Sequence, residues 1–189
     1  LMAALQLSAR ATVVVSADEV PFAKPAPDAL IEACRKRGIP VCVDPRGRDY
    51  SRYDGATVIK PNALELSEEC GRTVTTDEDA FDGLDTVMSR LERTETLIVT
   101  RSSLGMTALC RNGDQFHVRS RPRPVYDVSG AGDTAISMMA LALGASSSLE
   151  TAMRAADLAA GLVVTKVGTA TVTAEEILAE ERMRVSSEA

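Results

Sequence analysis

Asp127-Val128-Ser129-Gly130-Ala131-Gly132-Asp133 is the stretch of this 189-residue chain whose residue types and spacing best suit chemistry. Gly130 and Gly132 let the backbone turn tightly and come close to a ligand. An Ala-rich apolar segment follows, so the N–H groups of Gly130, Ala131 and Gly132 can converge at a helix N-terminus, where the dipole also favours an anion. Asp133, in the first helical turn, then stands beside an anion hole. It is placed to take a proton from an attacking hydroxyl while the hole stabilises charge on a transferring phosphoryl group. On spacing alone, a glycine-rich turn whose acid complements the helix dipole explains the same residues equally well.

Three competing chemistries are disfavoured. A dinucleotide fingerprint needs a third glycine at position 135, which is Ala135. There is no G-x-x-x-x-G-K-[ST] phosphate loop. There is no G-x-S-x-G either, and the single histidine, His117, falls in an expected hairpin, so a Ser-His-Asp hydrolase is poorly supported.

Other candidate groups close expected strands. Asn62-Ala63-Leu64-Glu65 follows a β-branched run and reads first as a helix N-cap with its capping-box partner. Its functional reading is a carboxamide and a carboxylate that order Mg²⁺-bound phosphates through water. Thr100 and Arg101, with Gly105 beyond, offer a hydroxyl, a guanidinium and a flexible backbone for nucleotide phosphates or ribose, or they are an ordinary turn into a hairpin. Asp44-Pro45-Arg46 could face a phosphorylated or hydroxylated substrate. Arg119, Arg121 and Arg123 alternate at strand spacing, and a solvated connector is their simplest explanation. Met138 and Met139 read as core fillers.

The elements that must position these groups alternate. Strands are expected over residues 12–16 (TVVVS), 39–44 (IPVCVD), 57–60 (TVIK) and 96–100 (TLIVT). A hairpin is expected from 105–110 and 115–118, turning at Asn112-Gly113. Helices are expected over 25–37, 62–70 (stopped by Gly71), 77–93, 131–143, 148–166 and 173–184, the fourth and fifth apolar around most of their circumference and so buried. This order specifies an α/β protein with a mainly parallel sheet, in which ligands bind beyond the carboxyl ends of the strands.

Composition sets the frame. The chain is 45% hydrophobic, 25% charged and 3% aromatic, with no Trp, so one core must be built mostly from Ala, Val, Leu, Ile and Met. With 21 basic and 27 acidic residues the net charge is −6, which argues against nucleic-acid or anionic-membrane binding. Cys34, Cys42, Cys70 and Cys110 form no C-x-x-C pair, so a zinc site is not expected and a reduced, cytoplasmic setting is. Residues 1–15 are interrupted by Arg10 and suit neither a signal peptide nor a membrane span. Leu1 in place of a start methionine suggests a piece of a longer chain.

In this order the motifs resemble the ribokinase/PfkB family of carbohydrate kinases. The family's D-T-x-G-A-G-D signature matches residues 127–133, with Val128 and Ser129 in place of its most common residues. The resemblance implies a ribokinase-like α/β fold and ATP-dependent phosphorylation of a sugar hydroxyl. It implies a catalytic base at Asp133 and an anion hole at Gly130, Ala131 and Gly132. The family's N-x-x-E falls on Asn62 and Glu65 at the Mg²⁺–phosphate site, flanking Ala63 and Leu64, and its nucleotide-contacting strand end on Thr100, Arg101 and Gly105.

Within the family the chain is most similar to the D-glycero-D-manno-heptose 7-phosphate kinases of lipopolysaccharide precursor synthesis. The stretches that carry this are Val43-Asp44-Pro45-Arg46-Gly47, Tyr53-Asp54-Gly55-Ala56-Thr57, Lys60-Pro61-Asn62, Val99-Thr100-Arg101, Val125-Tyr126-Asp127 and Lys166-Val167-Gly168-Thr169. The resemblance places Asp44 and Arg46 at the phosphosugar, with Arg46 where Lys is usual. It places Asp157 and Gly161 near the nucleotide, with Asp157 where Asn is common. A monovalent cation such as K⁺ would neighbour Asp127, Ser129 and Gly168. The resemblance covers residues 12–180 and only the C-terminal part of the family's fold. A partial kinase domain is therefore expected, without the N-terminal lid and sugar-binding part and without a nucleotidyltransferase H-x-G-H. An uncovered sheet edge is then expected to favour a homo-oligomer or a longer parent chain.

Overall fold

The apolar runs pair into a single sheet whose central parallel strands are buried on both faces. The computed structural model describes residues 13–16 and 27–187. Its strands are β1 (Val13–Ser16), β2 (Val41–Asp44), β3 (Val58–Ile59), β4 (Thr96–Thr100), β5 (Met106–Cys110) and β6 (Gln115–Val118), in the spatial order β1-β2-β3-β4-β5-β6. β1 to β4 run parallel, with Val43 opposite Ile59 and Ile59 opposite Leu97; β5 and β6 return antiparallel through the expected hairpin. The helices are α1 (Pro27–Lys36), α2 (Ala63–Cys70), α3 (Asp77–Met88), α4 (Ala131–Gly144), α5 (Leu149–Val163) and α6 (Ala174–Ser187). Every expected element is present; Thr12 and Pro25 lie outside the described residues.

The period-2 alternation of the strands builds two cores. Val41, Val43, Ile59, Leu97 and Val99 face Ile31, Leu66 and Leu84 of α1, α2 and α3. Cys42, Val58, Ile98 and Ala108 face Ala135, Ile136 and Met139 of α4 and Ala152, Met153 and Ala156 of α5. Alanine on both α4 and α5 lets the two helices and the sheet approach closely, which is how a chain so poor in aromatics fills its interior. Both expected core methionines lie on α4: Met139 is fully buried and Met138 packs against that cluster. Cys34, Cys42 and Cys70 are buried, and burial pushes the Cys42 thiol up to about 12, so it is inert packing.

Two features differ from the sequence expectation. Short 3-10 turns at Ser51–Tyr53 and Ser102–Leu104 carry no hydrophobic period that would reveal them. The helix expected to reach Arg93 ends at Met88, because the Asp54 carboxylate accepts the N–H groups of Glu92 (3.1 Å), Arg93 (2.9 Å) and Thr94 (3.0 Å) and draws that segment away from α3.

Burial alone would raise the Asp54 carboxyl, but the N–H groups of Arg93 and Thr94 with the Thr94 hydroxyl outweigh it and hold it below the usual range. A carboxyl depressed on folding stabilises fully above its unfolded value, near pH 4, and that contribution is lost as pH falls through the lower folded value. Stability is therefore expected to drop on acidification below about pH 4. Urea unfolding of Asp54→Asn at pH 7 and pH 3 checks this: the variant should lose that part of the pH dependence.

Candidate active site at the carboxyl ends of the strands

The loop before α4 is built around Asp127. Its Oδ1 accepts the Ser129 N–H at 2.8 Å and its Oδ2 the Gly168 N–H at 3.1 Å. The Ser129 N–H is the main cause that lowers the Asp127 carboxyl, with the Gly168 N–H contributing. The N–H groups of Tyr126 and Asp127 both donate to the Val164 carbonyl, at 2.8 and 3.3 Å, which ties the loop to the end of α5. Asp127, Ser129 and Gly168 are thus brought together as expected, but as a carboxylate taken up by two N–H donors. Each carboxylate oxygen keeps a lone pair beyond the one its N–H donor uses, so the carboxylate retains capacity for a monovalent cation.

Gly130 caps α4 in the left-handed conformation (φ 77°) and offers no side-chain acceptor. Of the N–H groups expected to form the anion hole, that of Ala131 donates to the Val128 carbonyl at 3.2 Å. Those of Gly130, Gly132 and Asp133 make no backbone hydrogen bond among the described residues, as expected of donors at a helix start. Two of the three expected donors, those of Gly130 and Gly132, are therefore open, with that of Asp133 beside them. Asp133 is exposed in this first turn, as its candidate role requires.

Lys60, absent from the sequence-based candidates, comes to the same place. Its Nζ lies 4.0 Å from the position a Cβ on Gly132 would take. Parallel pairing of Val43 with Ile59 carries Lys60 level with Asp44, and Nζ donates to Asp44 Oδ1 at 2.9 Å. The Lys60 side chain is 2% exposed and that of Asp44 17%, so this is a buried pair at the floor of the site. The signal for it was two buried strands, VCVD and TVIK, each ending on a charge.

Beside this pair, Asn62 makes the capping box of α2: its Oδ1 accepts the Glu65 N–H (3.0 Å) and Glu65 Oε2 accepts the Asn62 N–H (2.8 Å). Arg46 Nη1 donates to Glu65 Oε1 at 3.4 Å, and the Arg46 N–H reaches the Tyr53 hydroxyl at 3.4 Å. A parallel bridge joins Asn62 to Thr100. Ala63 packs against the core and Leu64 is exposed. Burial first, and then the negative field of Glu65, Glu69 and Asp44, raises the buried Tyr50 phenol. Asp44, Arg46, Asn62, Glu65 and Thr100 thus share adjoining strand ends with Lys60 and the start of α4.

Among the described residues no group of three or more acidic, histidine or cysteine side chains could hold a metal by itself. Mg²⁺ is usually bound by one or two carboxylates plus substrate phosphates and water, and Asp44 and Glu65 fit that requirement. Because Asn62 already serves as a cap, Asn62→Ala is expected to cost about 1 kcal/mol of stability. Paired unfolding and Mg·ATP titrations separate the roles: a loss of affinity beyond that stability change would mark contact with the metal–phosphate group.

Two expected contributors have other partners. The Arg101 side chain is 2% exposed and its guanidinium is taken up by Asp77 and Thr107. Asp157 is bonded by the Ser120 hydroxyl, and burial is the main cause that raises its carboxyl. A Cβ on Gly161 would lie 2.9 Å from Arg123 Nε, and Arg123 pairs with Glu180 of α6 at 2.7 Å. The segment 119–124 is therefore strapped across α5 and α6 at Arg123, where the sequence suggested only a solvated connector.

The chain matches the pfkB family carbohydrate kinase model over residues 4–176. It is 44% identical over 155 residues to the bifunctional protein HldE of Rhodospirillum rubrum, covering 82% of this chain and 31% of that protein. To HldE of Halorhodospira halophila it is 46% identical over 169 residues, covering 89% and 35%. The fold superposes on Arabidopsis thaliana ribokinase complexed with ribose and ATP with a TM-score of 0.73 at 24% identity, over 81% of this chain and 51% of that one. For Escherichia coli phosphofructokinase-2 in complex with substrates and products the TM-score is 0.73 at 23% identity, over 94% and 58%. The chain thus spans about a third of the length of these curated relatives and just over half that of the solved kinases. No helix among the described residues is long and apolar enough to cross a membrane. With its signature loop, its sheet order and this match over nearly all its length, the chain belongs to the pfkB family of carbohydrate kinases.

Proposed function

We propose that this chain is the nucleotide-binding and catalytic part of an ATP- and Mg²⁺-dependent sugar kinase that phosphorylates D-glycero-D-manno-heptose 7-phosphate to the 1,7-bisphosphate. The observation that carries the reading is the start of α4, where open N–H groups of Gly132 and Asp133, the Asp133 carboxylate and the Lys60 ammonium converge. Donors aimed at a developing anion, with a base beside them, suit phosphoryl transfer. Resemblance to the heptose 7-phosphate kinases and identity to the HldE proteins support the acceptor.

Mg·ATP supplies the phosphoryl group and neutralises part of its charge when bound. Asp133 accepts the proton of the sugar hydroxyl as its oxygen bonds to phosphorus and the bond to the nucleoside diphosphate breaks. The Gly132 and Asp133 N–H groups hold the phosphoryl oxygens, and Lys60 balances their charge from below. Glu65 and Asp44 would hold the metal, and Arg46 faces the anionic end of the phosphosugar. This reading implies a cytoplasmic protein, where ATP is supplied, acting as a homo-oligomer or as part of a longer chain.

Incubating the chain with Mg·ATP and heptose 7-phosphate should yield the bisphosphate. Turnover only with another sugar or nucleoside would reassign the acceptor within the family. ATP binding without turnover on any acceptor would mark a nucleotide-binding part whose acceptor site lies elsewhere.

A further inference from the structure

From the geometry around Arg101 we infer that Asp77, Thr107 and His117 are positioning residues for the loop 100–105, which they hold by locking the Arg101 guanidinium. The inference rests on the reading above of a nucleotide-binding kinase and on the family resemblance, which implies that the strand end at Thr100, Arg101 and Gly105 contacts the nucleotide.

The loop is bent in ways that its own residues do not favour. Arg101 sits at φ −130°, ψ 42°, Ser102 at φ 50° and Gly105 at φ 89°, ψ −143°. A serine at positive φ persists where the surroundings over-determine it. Part of that hold is local: the Arg101 N–H donates to the Gly105 carbonyl at 2.8 Å, and the Leu104 N–H to the Arg101 carbonyl at 3.0 Å. Part is contact with β6, since a Cβ on Gly105 would fall 1.9 Å from the Val118 carbonyl oxygen.

The rest comes from a ring of side chains on four separate elements. Arg101 Nη2 donates to Asp77 Oδ1 at the start of α3, and to Thr107 Oγ1 of β5 at 3.0 Å. Thr107 Oγ1 lies 2.9 Å from Nδ1 of His117 on β6, and His117 Nε2 lies 4.0 Å from Asp77 Oδ2. A guanidinium only donates, so the Thr107 oxygen accepts from it, and the hydroxyl donates to or accepts from Nδ1 according to the His117 tautomer. His117 Nε2 faces the Asp77 carboxylate from the far side of the ring, at ion-pair distance and without a hydrogen bond. The other charge facing this group is Arg119, whose Nη2 lies 3.7 Å from Asp77 Oδ2. Burial is the largest influence on His117 and lowers its pKa, consistent with a neutral imidazole.

The ring is costly for a merely structural device. Arg101 Nε and Nη1 are buried without partners, and half-exposed Asp77 is the carboxylate that faces the guanidinium. An apolar pair would satisfy a core more simply. What the ring does supply is a fixed loop directly after Thr100, whose backbone is bonded to the Asn62 segment.

Titrating the purified chain with a non-hydrolysable ATP analogue and Mg²⁺, while following amide exchange at 102–105, tests this. Thr107→Val keeps the volume and removes the relay; it is expected to weaken analogue binding about tenfold and to speed exchange in the loop, with Thr107→Ser restoring both. His117→Leu, at a half-buried edge-strand position, should weaken binding in the same direction if Thr107→Val proves unstable. Wild-type binding in both Thr107→Val and His117→Leu, or failure of Thr107→Ser to rescue a weakened Thr107→Val, would overturn the inference while leaving the nucleotide reading intact. Absence of analogue binding in the wild-type chain would overturn the nucleotide reading itself, and this inference with it.

Discussion

Asp133→Asn is expected to slow phosphotransfer by about 10²–10⁴-fold while nucleotide affinity holds or rises. The two side chains have the same shape, so the first turn of α4 and its open N–H groups should stay as they are. What is lost is the basicity needed to take the proton of the attacking hydroxyl. The sign on affinity follows from charge: a carboxylate beside an anion hole repels nucleotide phosphates, and a carboxamide does not. Single-turnover rates measured beside equilibrium titration with Mg·ATP make the separation, and full activity in the variant would sink the assignment of Asp133. Since Asp133 is exposed, little change in stability is expected.

Lys60→Met is expected to remove activity and to destabilise the chain by about 3 kcal/mol, near the lower end of the range for breaking a buried ion pair. The low end applies because the Asp44 side chain keeps 17% of its exposure and can recover some hydration. Methionine fills the volume of the lysine stem, so the loss reports charge, not a cavity. A second variant separates stability from function. In Lys60→Met combined with Asp44→Asn no unpaired carboxylate remains, so urea unfolding should recover much of the lost stability. Nucleotide affinity should not recover, because the ammonium that lies beneath Gly132, 4.0 Å from where its Cβ would stand, is still missing. Recovery of both would make the pair a structural element alone.

These two residues show how unevenly the site could be read. Asp133 was visible because a glycine-flanked acid opening an apolar helix is a local pattern with a local physical meaning. Lys60 was not, because its importance depends on parallel register. Nothing in residues 57–60 says that the fourth residue will lie level with Asp44, 16 positions earlier, or beneath the N-terminus of a helix 72 positions later. Arg101 shows the opposite case. A guanidinium at a strand end suggests a ligand contact, yet β5 and β6 fold back beside β4 and supply Thr107 and His117, and the start of α3 supplies Asp77. Asp157 and Gly161 are similar, one turn apart on α5 and met by Ser120 and Arg123 of the strap.

By itself the sequence determined what is carried by nearest neighbours along the chain. Buried β-branched runs specified the strands, alanine-rich apolar segments specified α4 and α5, and the capping residue Asn62 marked a helix start. The D-V-S-G-A-G-D loop marked a candidate anion hole and, through resemblance, the family. Only the tertiary structure decided which charged groups became neighbours: Lys60 with Asp44 under Gly132, Arg101 with Asp77 and Thr107, and Asp54 at the end of α3. The physical reason is that burial makes an unpaired charge costly. Each buried charge must therefore find a partner, and which partner it finds is set by strand register and crossover connections that short-range patterns do not encode.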